Sequence, residues 1–221
     1  MKRQKKIKFT SSYPELDIPR PIPAAKSIPE WYRKMPRVNS GKPTVKTCIP
    51  FLDAMTAGYT IVLAADVYID GETAEYSTNA SIPVISSHFE EQTQHVLVDA
   101  SLNASPLKWG NSFYITTPKG YSCYITHPAN REDLPFRTLT GVVDTDTHPV
   151  IINFPFLVKS SFKGMIPAGT PIAQVIPFKR DDWFADIVDD REPKHYLASY
   201  ELLSPPYNWY KRKWWKKKKY Q

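Results

Sequence analysis

The sequence predicts a mainly β protein: a sandwich-like or barrel-like body with a proline-rich N-terminal strap and a helical C-terminal tail. Three observations carry this expectation. Short runs of β-branched and aromatic residues follow one another from about residue 59 to 178, separated by Pro and Gly turns and by no helical pattern. Proline is abundant, 21 residues against 8 glycines in 221, which favours stiff connections and edge strands over flexible linkers. Basic residues gather at the two ends.

Residues 1–43 read as a basic arm and strap. Ile7–Thr10 is a short strand, and Pro14, Pro19, Pro21, Pro23 and Pro29 keep the next stretch extended on the surface. Ser27 to Pro36 predicts one or two helical turns, with Ser27 as cap, Pro29 in the first turn and Pro36 as stop. Trp31 and Met35, four apart on one face, are expected to pin this strap.

Residues 44–190 form the expected β body. Pro50–Gly58 reads as a short helix closed by Gly58, and Tyr59–Ile69 as one long strand. Asp70-Gly71 then turns a hairpin into residues 72–77. A strand is expected near His95–Val98. Residues 111–117 and 121–126 are strands joined by Pro118-Lys119-Gly120, and further strands fall at about 137–144, 149–158 and 171–178. Residues 191–221 read as helical over about 193–203 and 206–218, broken at Pro205-Pro206.

Composition narrows the classes. At 42% hydrophobic the chain can bury a core. Its formal charge of +7 is terminal: Lys2, Arg3, Lys5, Lys6 and Lys8 lie at one end, and Lys211, Arg212, Lys213 and Lys216 to Lys219 at the other. Without these twelve, 17 basic residues face 22 acidic ones, a body of about −5. No run of about 18 apolar residues predicts a membrane span, and no apolar segment follows the basic start as a secretory signal would require. Cys48 and Cys123 stand apart, with no CxxC, so neither a disulfide framework nor a cysteine zinc site is implied, and a reduced, cytoplasmic setting is expected.

Several motifs bear on chemistry. Ile115-Thr-Thr-Pro-Lys-Gly-Tyr121, Thr126-His-Pro-Ala129, Gly141-Val-Val-Asp144 and Gly169-Thr-Pro-Ile-Ala-Gln174 occur in the order and approximate spacing of the trimeric dUTPase and dCTP deaminase motifs. Over about residues 110–178 the chain resembles that group, which implies a β-clip body and, by analogy, a homotrimer. The resemblance assigns Asp144 to the carboxylate that contacts the deoxyribose and orients the attacking water. It assigns Gln174 to the amide of the last core strand, and it implies Mg²⁺ with a deoxynucleotide. The chain departs from the pattern at Thr147, where an aromatic would stack under the sugar, and at His148-Pro149, where Arg-Gly would follow. The phosphate-gripping Pro-Arg-Ser-Gly is here Pro128-Ala-Asn-Arg131, and a Lys/Trp tail stands in place of the Gly-rich arm. Triphosphate hydrolysis needs Mg²⁺ and donors on three phosphates. The bland reading makes Asp144 a strand cap and Gln174 a core hydrogen-bond partner.

His88-Phe89-Glu90 offers a second alternative. Residues two apart on a strand point the same way, so His88 and Glu90, with His127, His148 or His195 as distal ligand, would form the facial triad of a non-haem iron oxygenase. The competing reading is a solvated face, with Glu91, Gln92, Gln94 and His95 alongside.

The C-terminal run interleaves aromatics and cations. Lys211, Arg212, Lys213, Lys216 and Lys217 can neutralise phosphates, while Trp214 and Trp215 can stack on bases. As a helix it would align Tyr207, Tyr210 and Trp214 and dock them on the body, leaving the lysines in water. The two basic ends would act as one patch if they meet. The acidic Asp181, Asp182, Asp186, Asp189, Asp190 and Glu192 are expected to neutralise the tail rather than bind a cation, and Asp53 and Asp66 to serve turns and caps.

Finally, Ile28-Pro-Glu-Trp-Tyr-Arg-Lys-Met-Pro36, Thr47-Cys-Ile-Pro-Phe-Leu-Asp-Ala-Met-Thr-Ala-Gly-Tyr59 and Pro177-Phe-Lys-Arg-Asp-Asp-Trp183 resemble an uncharacterised family of tailed phages and bacteria. The resemblance implies a phage or bacterial origin, in host cytoplasm or virion, and no catalytic residue. The expected function is a non-catalytic binding or assembly protein whose tail contacts nucleic acid or another anionic partner.

Overall fold

The computed structural model describes residues 5–89, 91, 100–187 and 209–221, and they fold as a mainly β protein. Sixteen short strands are joined almost entirely by turns and loops. The central layer is a five-stranded sheet in the order β13 (Gly141–Val143), β11 (Tyr121–Thr126), β16 (Pro171–Lys179), β5 (Tyr59–Val62) and β2 (Ile22–Pro23). A four-stranded sheet runs β12 (Phe136–Thr138), β14 (Phe154–Val158), β9 (Leu107–Trp109) and β8 (Ile85–Ser87). A three-stranded sheet runs β15 (Lys163–Ile166), β6 (Val67–Asp70) and β7 (Glu75–Ser77). Two ribbons complete the set, β1 (Lys8–Ser11) with β10 (Phe113–Thr116), and β3 (Val38–Asn39) with β4 (Lys42–Pro43). Every pairing is antiparallel.

One apolar cluster draws on all three larger sheets: Ile61, Ile125 and Val175 from the first, Trp109 and Phe156 from the second, Val67 and Ile166 from the third. Trp109 stacks flat on Phe156, with centroids 3.8 Å apart, and Phe136 meets both edge-on. Sheets with one apolar face close over such a centre because nothing else removes that face from water. β10 shows the expected alternation, Phe113 and Ile115 inward, Tyr114 and Thr116 outward.

The structure corrects several elements. Tyr59–Ile69 is two strands in different sheets, because the chain leaves β5 at Leu63. Leu63 donates its N–H to the Thr170 carbonyl and accepts from Gly169, while the Asp66 carboxylate takes the Ala168 N–H. The 149–158 strand begins only at Phe154, and 137–144 divides into β12 and β13. β15 went unforeseen. The strand near His95–Val98 and the helix of 193–203 lie outside the described residues.

The strap folds differently from expectation too. Helix α1 (Glu30–Lys34) has no side-chain cap; the Ser27 hydroxyl bonds the Ala24 carbonyl and the Thr60 hydroxyl, which fastens the strap to β5. Tyr32 is the buried pin, stacked on Phe51 of α2 (Ile49–Thr56) at 5.9 Å, while the expected Trp31, more exposed, meets Phe51 edge-on and donates its indole N–H to Asp133 at 3.3 Å. Gly58 follows α2 with φ of +69°, and a Cβ there would stand 2.1 Å from the Val175 carbonyl oxygen. Only glycine lets this backbone approach β16 so closely. No helix of the described residues is long and apolar enough to cross a membrane.

Candidate functional site

Asp144 lies just past β13 in a tight turn whose carbonyl accepts from the Thr147 and His148 N–H groups. Its carboxylate is exposed yet occupied. Ser122 Oγ donates to Oδ1 at 2.6 Å and the Arg180 guanidinium at 3.1 Å. Arg180 gives its main grip to Asp146, whose side chain is only 2% exposed, through contacts of 2.8 and 2.5 Å to the two oxygens. The Gly120 N–H adds a third donor to Asp146 at 2.7 Å. The Arg180 bond and that N–H hold the Asp146 carboxyl down to about 2. Three segments distant in sequence, the turn after β10, the turn after β13 and the end of β16, are thus tied by one guanidinium between two carboxylates. The arrangement closes a loop junction; Asp144 is a ligand of Arg180.

Gln174 sits in the middle of β16, 2% exposed. Its amide NH₂ donates to the Ala54 and Ala57 carbonyls at 2.8 and 2.6 Å, and its Oε1 accepts the Ala129 N–H at 2.9 Å. The side chain seats the C-terminal end of α2 against the loop after β11. Its sheet partner is Thr126, whereas Phe178 pairs with Ser122, the residue that holds Asp144. Four residues of strand separate the two positions, about 13 Å at 3.3 Å per residue. The two residues do not converge on one cavity wall; each is consumed by protein partners.

For the iron alternative, only part of the proposed ligand set falls on described residues. Glu90 and His195 lie outside the described residues, and His88 follows the end of β8. His127 is half-buried, with Nδ1 accepting the Thr138 N–H and Nε2 against the Arg131 carbonyl. This fixes the neutral tautomer, and burial pulls its pKa below the ordinary 6.5. His148 is exposed. Among the described residues no group of three or more His, Cys, Asp or Glu side chains is arranged to hold a metal.

The tail is where the molecule gathers its free charge. Expected as a helix over 206–218, it has a single π-type turn, Tyr210–Trp214, and then runs extended, because Trp215 leaves the turn to dock. Trp215 Nε1 donates to Asp53 Oδ2 of α2 at 2.8 Å, and the Lys218 ammonium pairs with the same carboxylate. Asp53, expected to be only a cap or turn residue, is therefore the tail's anchor. Trp214 stays 44% exposed, so the aromatic face predicted from Tyr207, Tyr210 and Trp214 is not the docking face; Tyr207 lies outside the described residues. Beyond Trp215 the chain reaches β5, where the Tyr59 hydroxyl donates to the Gln221 carbonyl at 3.0 Å and Tyr220 meets the Tyr59 ring edge-on at 6.1 Å. On its other contact the same Tyr59 ring packs against Phe9 of β1 at 5.3 Å. Tyr59 thus joins the N-terminal strand and the C-terminal tail.

Lys5, Lys6 and Lys8 at one end, and Lys211, Arg212, Lys216, Lys217 and Lys219 at the other, are exposed. Between α2 and the tail lies a cavity of about 760 Å³, with Ile28 and Leu52 among its apolar lining and Lys217 and Lys219 on the tail side. Among the described acidic residues, Asp181 pairs with Lys179 at the end of β16. Sequence reasoning missed Arg180, Asp146, Asp53 and Tyr59. Only the Asp144–Asp146 spacing hinted at a shared partner. No model of a known protein family and no curated protein sequence matches the chain.

Proposed function

We propose that this is a non-catalytic binding or assembly protein, phage-encoded, whose two cationic ends act together as one surface for an anionic partner, with single-stranded nucleic acid the favoured one. The observation that carries the reading is the double contact of Tyr59 with Phe9 and Tyr220. A basic arm and a basic tail on separate faces would each hold an anion weakly; fastened to one strand, they offer a single field. Exposed Trp214 adds a stacking surface among the lysines. The engagement of Asp144 by Arg180 and Ser122, and of Gln174 by α2, supports the non-catalytic side of the reading. The phage assignment rests on the strap and α2 blocks, the same residues that fasten the two ends.

The test is the salt dependence of binding to a labelled single-stranded oligonucleotide. Each phosphate contact contributes about −0.7 to the slope of log K against log salt. The eight exposed cations named above therefore give about −5.6 as one patch, the five tail cations alone about −3.5. A slope steeper than about −5, falling to about −2 when the five are changed to Gln, is the expected result. A wild-type slope near −3.5 would separate the two ends, and no measurable affinity at low salt would remove the anionic partner altogether.

A further inference from the structure

Past Lys179 the chain leaves the sheet as the segment Asp181-Asp-Trp-Phe-Ala-Asp-Ile187. Trp183, Phe184 and Ile187 are 91%, 93% and 95% exposed. An isolated exposed leucine needs no account, but two adjacent aromatics and an isoleucine held almost wholly in water are costly and mark a contact site. Their charge is also particular. Asp181, Asp182 and Asp186 are interleaved with them, so the segment is an apolar strip with an acidic edge.

The same molecule carries the complement. The cavity between α2 and the tail is apolar along Ile28 and Leu52, bears the indole of Trp215 and the ring of Tyr220, and is edged by Lys217 and Lys219. Its volume of about 760 Å³ is in the range that accepts a ligand of two or three bulky side chains. Asp53 lies in its wall but is already paired with Lys218 and Trp215, so the charge it presents to an incoming segment is cationic.

We propose that the 181–187 segment of one copy inserts Trp183 and Phe184 into the α2–tail cavity of a second copy, with Asp182 and Asp186 facing Lys217 and Lys219. The segment and the cavity are different surfaces of the chain, so the contact is heterologous. Each copy gives a segment to one neighbour and takes a segment from another, and the assembly either closes as a ring or grows. A buried Trp and Phe each contribute about 150–250 Å² of contact, which suits a weak, concentration-dependent association.

The experiment follows mass against concentration by sedimentation for the full chain and two variants. Trp183→Ala with Phe184→Ala strips the segment and leaves the cavity intact; Lys217→Glu with Lys219→Glu reverses the cavity edge and leaves the segment intact. All four positions are exposed, so neither variant disturbs the core. Wild type is expected to gain mass with concentration, and each variant alone to remain monomeric. An equimolar mixture is expected to form dimers and stop there, since one intact segment meets one intact cavity. A monomeric wild type at the highest concentration reached, variants that assemble like wild type, or a mixture that stays monomeric would each overturn the proposal. The segment variant keeps every terminal cation, so its oligonucleotide salt slope stays that of wild type whether or not self-association is lost.

Discussion

Gln174→Met decides whether the amide on β16 is a structural bracket or a spare recognition group. Methionine keeps nearly the same length and volume, so no large cavity opens and the transfer term is small. What is lost is polar. The Ala129 N–H loses its acceptor at 2.9 Å, and the Ala54 and Ala57 carbonyls lose donors at 2.8 and 2.6 Å, at a side chain 2% exposed. A buried group left without its partner costs about 1–3 kcal/mol, so three of them at the low end come to about 3 kcal/mol. For a chain of this size that is a fall of roughly 6–12 °C in Tm. Urea unfolding followed by far-UV circular dichroism and by tryptophan fluorescence measures it. The α2 end and the 127–131 loop should also lose amide protection first, because Gln174 bonds both and leaves only a 3.3 Å Asn130–Phe51 bond between them among the described residues. A variant within about 0.5 kcal/mol of wild type would mean that these backbone groups find other partners readily, and the bracket argument would fail. The same outcome would leave the amide free to read a ligand.

Two further outcomes follow from the electrostatics. Asp146, held at about 2 against an ordinary 3.8, contributes stability that is fully present above 3.8 and is lost as pH falls through about 2. Asp146→Asn should flatten that acid limb in a series of unfolding curves from pH 5 to 2, and an unchanged limb would assign it to other carboxylates. His127 has its folded pKa below 6.5, so its burial lowers stability as pH drops beneath 6.5, until the folded form also protonates; His127→Gln should remove that slope. Asp53→Ala should release the tail at a local cost of about 1–2 kcal/mol, most of it from the Trp215 bond because the half-exposed Lys218 pair is screened. Hydrogen exchange would show residues 209–221 losing protection about tenfold with little change in the global midpoint, and unaltered protection would show that Asp53 does not anchor the tail.

Local signals were readable and long-range ones were not, and particular residues show why. The alternation of Phe113, Tyr114, Ile115 and Thr116 is written in consecutive side chains, so β10 was legible without its partner. The break between β5 and β6 was not, because Tyr59–Ile69 reads as one long, mostly apolar run, and its Asp66 gains meaning only from the Ala168 N–H and the backbone groups near residue 170 that bend the chain. The same distinction divides the candidate site. Asp144 and Gln174 could be found by spacing, since a turn carboxylate and an amide among apolar residues are local anomalies. Their partners could not: Arg180 and α2 reach them from remote parts of the chain, and those contacts make each residue a link between segments. The charged ends give the opposite lesson. Their basicity is obvious in the sequence, but the residue that joins them is Tyr59, an uncharged side chain at the start of β5, made decisive by Phe9 and Tyr220 on the folded surface. A function carried by such a patch depends less on how many lysines the chain has than on the aromatic clamp that holds both sets on one strand.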